Sequence, residues 1–183
     1  MPHPADHGRF DPGRDWYVRG MRIGTVFATG LGAAAAGVIG GLASRSSIDT
    51  WYPTLRKPRY VPPNVVFPIA WNVLYATIAG TSAQTIDRLR ADGRDAEADA
   101  YVRALAANYV LNGAWSWVFF KWHRLPASAA LAGVLALSSA DLARRAASAD
   151  PKLGAALAPY PAWTSFATVM SADIARLNRG GQH

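Results

Sequence analysis

The run from Ile23 to Ala43 (IGTVFATGLGAAAAGVIGGLA) is 21 residues long and carries no charge. About 20 apolar residues suffice for a helix to cross the hydrocarbon core of a bilayer. A helix satisfies its own backbone polar groups there, which few other structures do. Arg22 and Arg45 bracket the run, placed to snorkel towards two interfaces. Ala33, Gly37 and Gly41 recur every four residues and form a flat stripe that lets another helix approach closely. A cleaved signal peptide is the alternative, but the apolar run and the polar tail before it are both long for one.

Four further apolar segments follow: Val65–Gln84, Leu105–Phe120, Ala127–Ala140 and Leu153–Ala172. The first, second and fourth of these contain no Lys, Arg, Asp or Glu. Helices of a soluble bundle would each need a charged face, so the pattern favours a membrane over a soluble all-α bundle. The expected fold class is all-α: a bundle of five transmembrane helices near 22–44, 65–88, 98–120, 126–146 and 152–176, integral to the membrane and multi-pass. Residues 1–20 are rich in Pro, Gly and charge and read as a flexible polar tail. Residues 21–183 read as one membrane domain, joined by a charged connection at 91–100, by KWHRLP at 121–126 and by a turn at Asp150-Pro151-Lys152. With five spans, eleven cations fall on the side of the tail and eight on the other, a slight lean towards an inside N-terminus.

The formal net charge is +7. Its cations are scattered between apolar segments, as expected for headgroup contacts, and they form no basic face for nucleic acid. The chain has no cysteine, which removes thiol nucleophiles and Cys-based metal sites. It has no G-x-S-x-G, P-loop or H-E-x-x-H sequence, and no carboxylate pair within the apolar cores. His3 and His7 are four apart, but Pro4 disfavours the helix that would pair them. His123, Asp141 and Asp173 lie beside arginines near segment ends, where interfacial exposure or ion pairing accounts for them. No metal, cofactor or catalytic group is expected.

Between the first two segments lies WYPTLRKPRYVPP, residues 51–63. Its prolines fix their own φ and push the preceding residue out of helix, so a stiff, turn-rich loop is expected. Helical spacing then collects aromatic and polar residues on three faces: Trp71, Tyr75 and Ser82; Asn108, Asn112, Trp115 and Phe119; Tyr160, Trp163, Ala167 and Ser171. Together these faces could line a pocket for a planar apolar ligand. Interfacial packing is the more frequent origin of such stripes.

Four motifs, WYPTLRKPRYVPP (51–63), VFPIAWNVLY (66–75), LNGAWSWVFF (111–120) and PYPAWTSFATVM (159–170), resemble those of the tryptophan-rich sensory proteins. This family is also called the translocator protein or peripheral-type benzodiazepine receptor family. The motifs occur in the family's order and cover residues 45–172. The resemblance implies a five-helix membrane bundle, commonly a homodimer, with its first loop folded over a cavity. It implies membrane lipid and porphyrins, sterols or synthetic isoquinolines as partners, and no nucleic acid. Carried over by motif, the ligand-binding residues are Tyr52, Trp71, Tyr75, Asn112, Trp115, Trp163, Phe166 and Ala167. The expected role is binding or sensing of a tetrapyrrole. Photo-oxidative breakdown of bound porphyrin, using Trp71 and Trp163, and transport of porphyrin or lipid are the alternatives. The chain departs from the family pattern at Arg59-Tyr60, at Trp117 and at Met170-Ser171, and the last departure counts against a sterol ligand.

Overall fold

A computed structural model describes residues 22–180; the tail expected over residues 1–20 and the two early histidines lie outside them. The described residues contain helices and no strand. Helix α1 is Ile23–Ser44, the short α2 is Ser47–Thr50, α3 is Val66–Ala91, α4 is Asp95–Ser116, α5 is Leu125–Ala149, α6 is Pro151–Leu157 and α7 is Pro159–Leu177. By length and composition, α1 and α5 are long and apolar enough to cross a membrane.

The chain runs back and forth through the bundle, and local chemistry explains each reversal. At the start of α1 the Asp87 carboxylate of α3 accepts from Arg22 N–H at 2.6 Å and from the Thr25 hydroxyl at 2.8 Å. A carboxylate there satisfies free amides and complements the helix dipole. After α3, Gly93 takes a left-handed φ of 72°, and Arg94 N–H closes back onto Leu89 C=O at 2.8 Å. This is a Schellman-type stop, for which glycine is suited. The charged stretch expected to be a connection then becomes the first turns of α4. Asp95 and Glu97 sit at its N-terminus, where negative charge is favoured. Asp150 caps α6 by accepting from Lys152 N–H at 2.8 Å, with Pro151 in the first turn.

Two departures concern the expected helices. The fifth segment is divided into α6 and α7 at Ala158. Pro159 and Pro161 cannot donate to the preceding turn, so a new helix starts there instead. Helix α4, expected to run regularly to residue 120, widens into one π-turn over Trp117–Lys121, with Trp122 N–H on Trp117 C=O at 2.9 Å. Such turns re-aim side chains and are frequent at functional sites.

Packing follows the small residues. The stripe on α1 is used within the chain: Ala33 and Ala36 are buried, and Gly37 lies against the Tyr75 ring. Gly32 lies against Tyr109 and Gly40 against the Ser116 hydroxyl. Two apolar clusters result. One joins α3, α4, α5 and α6 around Ile78, Tyr101, Leu142 and Leu157. The other joins the first loop, the π-turn, α5 and α7 around Tyr52, Phe119, Leu125 and Ile174.

Candidate functional site

Between α1, α3 and α4, beneath the first loop, lies a cavity of 520 Å³. Its α1 wall is almost bare backbone, since Gly37, Gly40 and Gly41 supply no side chain. That absence leaves room for the rings opposite. Phe67, Trp71 and Tyr75 come from α3 at spacings of four, one face of one helix. Trp115, Phe119 and Phe120 come from the end of α4 and its π-turn. Tyr52 closes the top and Met170 of α7 reaches one corner.

The rings are already ordered. Trp71 and Tyr75 lie 5.5 Å apart, and Trp115 stacks on Phe119 at 5.4 Å and 23°. Phe119 and Phe120 meet edge-on at 4.8 Å. Each such pair is worth about 0.5–1.5 kcal/mol beyond burial. They line the cavity with π-faces that need no further folding to receive a flat molecule.

One polar chain backs the cavity. The Tyr75 hydroxyl donates to Asn112 Oδ1 at 2.9 Å, and Asn112 Nδ2 donates to the Tyr160 hydroxyl at 3.2 Å. Tyr160 donates to Asn108 Oδ1 at 2.7 Å, and Asn108 Nδ2 donates to the Ser138 hydroxyl at 3.0 Å. Polar groups inside such a bundle are costly unless paired, and this chain pairs four helices' worth of them. It fixes Asn112 and Tyr75 as the polar pair on the inner wall. The Trp115 Nε1 and Ser171 Oγ atoms, by contrast, are buried without a hydrogen-bond partner among the described residues.

The loop forms a roof anchored at both ends. On the π-turn side, Trp51 stacks on His123 at 3.9 Å, and Ser47 donates to Phe120 C=O at 2.5 Å. His123 itself takes a left-handed φ of 55° to turn the chain into α5. On the α7 side, Asn178 accepts from Arg56 N–H at 3.1 Å and donates to Arg56 C=O at 2.9 Å. Tyr60 donates to Asp173 at 2.7 Å. Desolvation first, then this hydrogen bond, holds the Tyr60 phenol above its usual range. Lys57 donates to Tyr52 C=O at 3.0 Å and lies over the Tyr52 ring at 4.0 Å, bracing the roof from within. Burial likewise raises the Tyr52 phenol.

Of the residues singled out from the sequence, Tyr52, Trp71, Tyr75, Asn112 and Trp115 come together on this cavity. Trp163, Phe166 and Ala167 lie outside its lining. Ala167 is buried, while Trp163 meets Phe67 edge-on at 6.0 Å and Phe166 at 5.6 Å, forming a second aromatic row behind the first. The sequence reading passed over Phe67 and Phe120. Phe67 had a signal, lying four residues before Trp71. Phe120 had one too, lying four residues after Ser116 and eight after Asn112, both on the cavity wall.

The profile of the TspO/MBR family matches residues 28–177. Protein CrtK of Rhodobacter capsulatus is 32% identical over 160 residues, which span 85% of this chain and 94% of that protein. The tryptophan-rich sensory protein of Cereibacter sphaeroides is 31% identical over 153 residues, 84% of this chain and 91% of its own length. The human translocator protein is 30% identical over 132 residues, 71% of this chain and 76% of its own length.

Proposed function

We propose that this chain, which belongs to the TspO/MBR family of membrane proteins, is a binding and sensory protein that holds a porphyrin or other tetrapyrrole in the cavity under its first loop. The observation that carries this reading is the cavity itself: 520 Å³, lined by seven aromatic rings and opened on one side by three glycines. Burial of a flat apolar ligand supplies about 25 cal/mol per Å² removed from water, and face contacts with Trp71 and Tyr75 add to it. Tyr75 has its proton committed to Asn112, so its oxygen is left as an acceptor. Arg56 and Arg59 are exposed on the roof, where they suit the carboxylates of a propionate-bearing ligand. The proposal includes a homodimer, supported by the apolar outer face of α1 at Phe27, Leu31, Val38 and Leu42.

Titration of protoporphyrin IX into the solubilised protein should quench tryptophan fluorescence saturably. Trp71→Phe removes one indole face from the wall and keeps a ring there. It should weaken binding about tenfold, the equivalent of one good aromatic contact. Quenching that never saturates, or that is the same in both proteins, would count against the cavity as the site.

A further inference from the structure

We infer that Asn72 is a specificity-determining residue, which holds a carboxyl group on the rim of the bound molecule at a side mouth of the cavity between α1 and α3. The inference rests on the ligand-binding reading above and adds the polar chemistry that the ligand must carry. Neighbouring rows of α3 do different things. Phe67, Trp71 and Tyr75 turn into the cavity. One residue further round, Asn64, Pro68 and Asn72 also line it, yet all three are exposed. They therefore form a lip. Ile69 and Val73, in the next row, are exposed, apolar and outside the lining. On α1 the opposite lip is Gly41, which lines the cavity and is itself exposed. Val38 and Leu42 flank it and face outward.

The mouth thus opens sideways between two apolar outer faces, and Asn72 stands in it with an amide. That amide makes no hydrogen bond among the described residues. Thr77, further along the same helix, ties its hydroxyl to Val73 C=O at 2.9 Å. Asn72 has no such tie. An unpaired amide in an apolar setting is costly, and polar residues on the helices of a membrane bundle tend to serve a cavity or a ligand. A primary amide offers N–H donors and a C=O acceptor. A carboxylate accepts from the N–H in a charge-assisted bond, and a carboxylic acid meets both groups. A flat molecule lying between the glycines of α1 and the rings of α3 leaves one edge at this lip. A macrocycle with its carboxyls on that edge has its apolar part enclosed and a carboxyl beside Asn72.

Two probes separate this role from plain apolar burial: protoporphyrin IX, with propionates on one edge, and etioporphyrin, the same macrocycle with alkyl groups only. Their dissociation constants are measured for the wild type, for Asn72→Leu and for the double variant Arg56→Gln/Arg59→Gln. The double variant tests whether the roof arginines, also suited to carboxylates, do this instead. Asn72 is exposed and unpaired, so Asn72→Leu removes no internal contact. It should weaken protoporphyrin binding about tenfold, the loss of one charge-assisted hydrogen bond. Etioporphyrin binding should not change, which shows that fold and cavity are intact. No change in either probe, or an equal loss of both, overturns the role of Asn72 and leaves the cavity standing. A preference for protoporphyrin that survives Asn72→Leu and disappears in the arginine variant puts the carboxyls on the roof and overturns it too. Failure of the wild type to bind either probe overturns the cavity reading and the inference with it.

Discussion

Gly41→Phe should leave the protein folded and abolish ligand binding. A Cβ built on Gly41 meets no atom within 4 Å, yet Gly41 lines the cavity. A helical side chain leans towards the preceding turn, which here is Gly37, lying against Tyr75. The new ring would therefore occupy the space a ligand needs. Overpacking a filled site costs about 1–3 kcal/mol, so affinity for protoporphyrin IX should fall on the order of a hundredfold. The fold should not suffer, since glycine inside a helix costs roughly 0.5–1 kcal/mol relative to alanine. An unchanged circular dichroism melt with lost quenching is the expected pair of results. Retained binding would place the ligand elsewhere.

Gly154→Ala should do the opposite and damage the fold. Its Cβ would stand 2.4 Å from Ala147 Cβ, 2.8 Å from Ala147 Cα and 3.0 Å from Ala147 N. Two of those atoms are backbone and cannot rotate away. The contact lies one turn beyond the Asp150-Pro151 reversal, where α6 folds back on α5. Opening that hairpin would also disturb Leu157 and Tyr160, both fully buried in the first apolar cluster. The expected cost is about 3 kcal/mol, at the upper end for overpacking. That corresponds to a melting temperature lower by roughly 6–12 °C. An unchanged melt would mean that α5 and α6 are not in this register. The same class of residue thus has opposite consequences at two places, because one glycine faces space and the other faces a neighbouring backbone.

Much of the fold could be read from the chain because charge is so costly in lipid. The charge-free runs mark the helices, and Gly93, Pro126 and Asp150-Pro151 mark the reversals. Charge misled the reading at 91–100, where Asp95 and Glu97 favour a helix start and do not form a long connection. Pro159 and Pro161 were visible signals of the break at Ala158, and they were absorbed into one long segment. The π-turn had no local signal: WVFFK at 117–121 carries neither glycine nor proline and reads as continuous helix.

The site was legible helix by helix and not between helices. Spacing placed Trp71 with Tyr75, and Asn112 with Trp115, on single faces. It could not say that Phe67 would meet Trp163, since that depends on how α3 and α7 are rotated against each other. Nor could spacing show that the glycines of α1 turn inward on Tyr75, Tyr109 and Ser116. A stripe of small residues serves an inner or an outer partner equally well.

Photo-crosslinking of a diazirine-tagged protoporphyrin, mapped by mass spectrometry, tests the binding site most directly. The account predicts adducts on the glycine face of α1, on α3 around Trp71 and on the π-turn around Phe119, all lost in Gly41→Phe. Adducts confined to the outward-facing, exposed residues Val134 and Leu137 of α5, and persisting in that variant, would contradict it.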